Sequence, residues 1–141
     1  MSADTFVDTN ILIYAHDLDA GDKHRHAAAL VQELWEERRG IRSTQVLEEL
    51  YVNVTAKMPT PISISAARGL LRTYAAWQVE VNGVQTVLLA TEIQERNRLS
   101  FWDAMVVAAA QQGGAAILLS EDLNHDQVIE GVRVQNPFAS S

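Results

Sequence analysis

Four separated stretches offer carboxylates that a folded chain can bring together. They are Asp8 in Phe6-Val7-Asp8-Thr9-Asn10, Glu48 and Glu49 in Val46-Leu47-Glu48-Glu49-Leu50, Asp103 in Ser100-Phe101-Trp102-Asp103, and Asp122 in Leu119-Ser120-Glu121-Asp122. Carboxylates sharing one pocket repel each other, so the pocket is costly without positive charge. Divalent ions supply that charge, and all-oxygen donors suit Mg²⁺ or Mn²⁺ rather than zinc. The chain has no cysteine, which removes thiolate zinc sites, disulfide scaffolds and thiol nucleophiles. Asp8, one glutamate, Asp103 and Asp122 together carry four negative charges, which two divalent ions cancel. Two such ions about 3.5–4 Å apart activate a water and stabilise the leaving oxygen in phosphodiester hydrolysis.

That chemistry requires elements that deliver all four groups to one place. The apolar period switches between two and nearly four along the chain. Strands are expected at 5–7, 41–43, 79–81, 115–119 and 132–134. Helices are expected near Thr9, over 23–39 with Asp22 as N-cap, from Gln45 towards Lys57, and over 63–76 beyond Pro59 and Pro61. Two more run from Val84 to about Arg98, after the Asn82-Gly83 turn, and from Ser100 to the stop at Gly113-Gly114. Alternating strands and helices imply crossovers and a parallel sheet covered on both faces. Ala115-Ala116-Ile117-Leu118-Leu119 lacks polar alternation and reads as its central strand. The expected fold is one domain over 1–141, a three-layer α/β/α sandwich with a mainly parallel five-stranded sheet.

Open α/β sheets bind ligands at the carboxyl ends of their strands, near a switch in strand order. Asp8 closes the first strand and Asp122 follows the central one. Asp103 begins the helix that runs antiparallel into the central strand, so it starts at the same edge. Glu48 and Glu49 lie five or six residues past the second strand, within roughly 9 Å of that edge. Each acid has a plainer role. Asp8 suits a helix cap, Asp103 the third position of a capping box, and the others solvated surface. Yet no charged residue lies between Ala104 and Ser120, so Asp103 borders a buried helix and needs a partner. Periodicity leaves Glu48 and Glu49 equivalent, one on each side of the stripe formed by Val46, Leu50 and Val54.

The same four blocks, in order, resemble the PIN domain, and more narrowly the VapC-like toxins of bacterial toxin–antitoxin pairs. The likeness runs from the first strand to Asn136-Pro137-Phe138. It implies a metal-dependent endoribonuclease with an acidic Mg²⁺ or Mn²⁺ site formed by Asp8, Glu49 rather than Glu48, Asp103 and Asp122. It also implies support from Asn10, Ser120 and Asn124, a homodimer, an RNA substrate, and a cognate antitoxin whose tail fills the acidic groove. Asn124-His125-Asp126 departs from the family's usual histidine followed by glycine, which leaves the roles of Glu121, His125 and Asp126 open.

The 141 residues carry a net charge of −7 and are 48% hydrophobic. That composition suits a globular chain and argues against a simple basic-patch nucleic-acid binder, so cations must bridge protein and phosphate. No apolar run reaches membrane-spanning length and the start has no secretory pattern, so a cytoplasmic location is expected. Arg38-Arg39 with Arg42, Arg68 with Arg72, and Arg96 with Arg98 are small basic groups that read mostly as solvated faces, with phosphate contacts beside the acidic site as the alternative for some. Trp35, Trp77 and Trp102 read as packing residues, with Trp102 set apart by its neighbour Asp103. His24 and His26 do not share a helix face and make a poor metal pair. A phosphoacceptor receiver domain, the reading from a different class, is disfavoured, because Asp8 stands alone and the only lysines are Lys23 and Lys57. The remaining alternative is a catalytically silent module whose acidic groove receives a basic partner segment.

Overall fold

Phe6 and Val7 are wholly buried, and the short strand they form becomes the centre of the sheet. The computed structural model describes residues 3–139. Strands β1 (Thr5–Val7), β2 (Gly40–Ser43), β3 (Gln78–Glu80), β4 (Ile117–Leu119), β5 (Val128–Ile129) and β6 (Val132–Gln135) are ordered β3-β2-β1-β4-β6-β5. All pairings are parallel except β5 on β6. The five expected strands are present within two residues at each end. The sixth, β5, is two residues long and has too little pattern to register in sequence. It joins β6 through Glu130-Gly131, both at positive φ, the backbone of a tight hairpin turn.

Six α-helices cover the sheet: α1 (Thr9–His16), α2 (Asp22–Glu37), α3 (Thr44–Val52), α4 (Ile64–Ala75), α5 (Val84–Asn97) and α6 (Phe101–Gln112). Their starts follow the side-chain oxygens that precede them. Ser43, Ser63 and Ser100 accept from the amides of Val46, Ala66 and Asp103. Helix α2 begins at Asp22 itself, with Gly21 as its cap, rather than after it. Beyond α3 the chain continues as a π-helical turn, Asn53–Lys57, where one uninterrupted helix was expected. Helix α6 is buried along Ala104–Ala110, so its first turn is held firmly at the sheet's edge.

The basic group containing Arg42 is not a solvated face. Strand β2 turns Gly40 and Arg42 towards the same side, and Arg42 is 0% exposed. Its guanidinium carbon lies 3.8 Å from the centre of the Trp77 ring and 4.5 Å from that of Tyr74. Its nitrogens find no hydrogen-bond partner among the described residues, and burial pushes its pKa down to about 9. Gly40 makes this stack possible. A Cβ there would lie 1.7 Å from Trp77 Cζ3. Gly40→Ala is therefore expected to cost about 1–3 kcal/mol, as overpacking generally does. Urea unfolding measures it, and unchanged stability would mean that Trp77 is not fixed against β2.

Candidate active site

From β1 the chain moves outward to β2 and β3 on one side, and to β4 and β6 on the other. The switch in strand order therefore lies between β1 and β4, at whose carboxyl ends stand Asp8 and Ser120. The backbone itself joins these ends, since the Asp8 amide donates to Leu119 O at 3.0 Å. Asp8 is only 7% exposed. Its Oδ1 accepts from the Thr9 amide at 2.7 Å, so the capping role is real. Its Oδ2 accepts from Ser120 Oγ at 3.0 Å, and Ser120 Oγ accepts in turn from the Asp122 amide at 3.2 Å. One hydroxyl thus ties the first acid to the loop carrying the fourth.

Asp122 Oδ2 accepts from Asn10 Nδ2 at 2.8 Å, a bond between residues 112 apart in sequence. Glu49 Oε1 accepts from Thr9 Oγ1 at 3.4 Å. That contact separates the two glutamates: Glu49 faces Asp8's neighbour, whereas Glu48 makes no such contact. Asp103 sits in the first turn of α6, where its amide donates to Ser100 Oγ at 3.1 Å. Its carboxylate makes no return bond to complete a capping box among the described residues.

The acids lie in one another's fields. Burial pushes Asp8 up to about 6, assisted by the charges of Asp122 and Glu49 and opposed by its hydrogen bonds. Burial also raises Glu49, with Asp122 and Glu48 adding to the rise. Asp122 is raised by burial and by the negative charge of Asp103. Asp8, Glu49 and Asp122 thus share one electrostatic environment, and the charge of Asp103 reaches it through Asp122. They do not form a closed cage: among the described residues no three acidic or histidine side chains are close enough to hold a metal ion. Their donor chemistry nevertheless fits a hard divalent cation. The set is all carboxylate, and Glu49 and Asp122 stand exposed, each held by a hydrogen bond from a neutral donor.

The other residues divide clearly. Glu121 points away from the group. Burial would raise it, but hydrogen bonds from Lys23 and Tyr14 hold it below the ordinary value. His125 Nδ1 accepts from the Asn136 amide at 3.1 Å and so anchors the C-terminal segment. Asp126 adopts a left-handed turn, its amide donating to Val134 O at 2.8 Å. Asn124 is exposed, and its side chain bonds to none of the four acids. Thr9 was not singled out by sequence, yet its hydroxyl donates to Glu49. Its position just beyond a strand end was the available signal.

The acids stand at the switch point of a mainly parallel α/β sheet, the crevice where doubly wound domains bind their ligands. The PIN domain family model matches residues 5–130, and the chain belongs to that family. Among solved structures, it resembles a chain of a toxin–antitoxin complex from Klebsiella pneumoniae, with TM-score 0.69 and 20% identity over 95% of this chain and 98% of that one. It also resembles Mycobacterium tuberculosis VapC20, a Sarcin-Ricin loop cleaving toxin, with TM-score 0.62 and 21% identity over 84% and 89%. A third similar chain comes from DNA-bound VapBC of Salmonella typhimurium, with TM-score 0.67 and 15% identity over 96% and 98%. No curated protein matches the sequence.

The raised Asp8 sets a pH dependence for metal-free protein. A carboxyl group with a folded-state pKa above its ordinary 3.8 contributes fully at low pH, and that contribution fades as pH rises through about 6. Asp8→Asn removes the charge and keeps an acceptor for the Thr9 amide. In EDTA at pH 7 the variant is expected to melt about 5 °C higher than the parent, with the gain disappearing near pH 4. Thermal unfolding at both pH values checks this; an equal gain at both would show that charge is not the cause.

Proposed function

We propose that this PIN domain, acting as one unit over the whole chain, is a divalent-metal-dependent endoribonuclease and the toxin of a toxin–antitoxin pair. The observation that carries the reading is that Asp8, Glu49 and Asp122 meet at the switch point, with the charge of Asp103 acting on Asp122, so that burial and neighbouring negative charge push Asp8 up to about 6. These four side chains would hold Mg²⁺ or Mn²⁺, which when bound activates water and neutralises charge on the cleaved phosphodiester. The chain's own residues set the stage. Ser120 and the Thr9 amide fix Asp8. Asn10 orients Asp122, and Thr9 orients Glu49.

Similarity to toxin–antitoxin complexes supports an antitoxin partner, and the RNA-loop-cleaving neighbour supports an RNA substrate. An acidic groove would receive a basic antitoxin segment. Val84, Val87 and Leu88 are exposed along one stretch of α5, which supports a homodimer. No helix among the described residues is long and apolar enough to cross a membrane. RNA and antitoxin together favour a cytoplasmic site of action.

The absence of a ready-made cage favours one alternative, a silent acidic groove that only binds a basic segment. Two measurements separate them. For the nuclease, Mn²⁺ titration by calorimetry shows binding, EDTA stops RNA cleavage and added Mn²⁺ restores it. Asp8→Asn and Asp103→Asn each abolish cleavage while circular dichroism stays that of the parent. Mn²⁺ failing to bind the parent, or both variants cleaving as well as it does, would sink the nuclease reading.

A further inference from the structure

Next to Asp103, in the first turn of α6, Trp102 leaves 65% of its surface exposed. Phe101 packs edge-on against it, with ring centres 5.1 Å apart. The indole lines an open pocket of about 400 Å³ together with Gln45, Glu48 and Glu49. Glu49 belongs to the coupled acids as well, so the pocket opens directly beside them. Glu48 and Glu49 are both exposed there, so the pocket presents carboxylate oxygens beside the indole.

These walls select a ligand by its chemistry. Glu48 and Glu49 repel phosphate, so a nucleic-acid backbone does not lie here. An aliphatic group would cover the indole but strip water from the carboxylates without replacing its hydrogen bonds. A flat ring with N–H groups on its edge stacks on Trp102 and donates to Glu48. Unpaired bases in RNA are recognised in this way, through aromatic stacking and edge hydrogen bonds.

We propose that Trp102 and Glu48 form a subsite for one unpaired nucleobase of the RNA substrate, stacked on the indole beside the bond that is cut. The proposal rests on the nuclease reading above and adds to it where the strand leaves the acidic group. It assigns Trp102 to positioning substrate and not to the chemical step.

The test uses the full chain with Mn²⁺ and a mixed-sequence, single-stranded RNA of about 20 nucleotides. Once the cleaved bond is mapped, neighbouring nucleotides are replaced one at a time by abasic residues. One such position is expected to raise the parent's KM about tenfold with kcat little changed, within the range of a single base–aromatic stack. Trp102→Ala should raise KM similarly on intact RNA, lose nothing further on the abasic strand, and be largely rescued by Trp102→Phe. That non-additivity is what a shared contact produces. KM unmoved by Trp102→Ala, or equal abasic losses in parent and variant, overturns the subsite and leaves the nuclease reading standing. The same holds if Trp102→Ala only dissociates a dimer or weakens a basic partner's binding. A parent that cleaves no RNA removes both.

Discussion

Like charges held close together in partly buried surroundings are the constraint on which the rest of this structure depends. Asp8, Glu49 and Asp122 carry a desolvation cost and a repulsive cost, and no arginine or lysine among the described residues pairs with them. Lys23 is committed to Glu121. The chain holds the arrangement with neutral donors instead: the Ser120 hydroxyl, the Asn10 amide, the Thr9 hydroxyl and the Thr9 backbone. These donors orient carboxylates without cancelling their charge. The negative potential is thereby kept for something that arrives from solution, in keeping with strain tolerated at functional sites and compensated elsewhere.

The fold makes that compensation through its topology. Because strand order reverses between β1 and β4, two strand ends open onto a common crevice. The apolar stretch of α6, from Ala104 to Ala110, packs fully inside and fixes where Asp103 must stand. Helix α3 starts directly from β2, so Glu49 is set by helical rise from a strand end. The acids come from four places in the chain, but each is tied to a buried element within a few residues.

Much of this was readable from sequence, and the failures have physical reasons. Strand positions, the parallel sheet and the four acidic segments follow from apolar periodicity and from where the acids fall relative to strand ends. The choice of Glu49 over Glu48 does not, because it depends on the rotation of α3 against Thr9, which periodicity leaves tied. Arg42 misled for a similar reason. Near Arg38 and Arg39 it reads as surface charge, whereas β2 alternation turns it inward between two rings contributed by α4 and the residues after it. The two-residue β5 exists only because β6 offers it a partner. Asn124, grouped with the site by resemblance, lies outside its hydrogen-bond network. The exchange of an expected glycine for Asp126 falls in a loop anchored to β6, away from the acids.

The sheet ends at both margins in very short strands, β3 with three residues and β5 with two. Little main-chain hydrogen-bonding capacity is therefore left for another polypeptide to extend, and strand addition gains almost nothing here. Any protein that docks on this molecule must read helices and side chains. Recognition of that kind changes with a handful of substitutions, so the pairing of this chain with a partner is free to diverge while the sheet beneath stays the same.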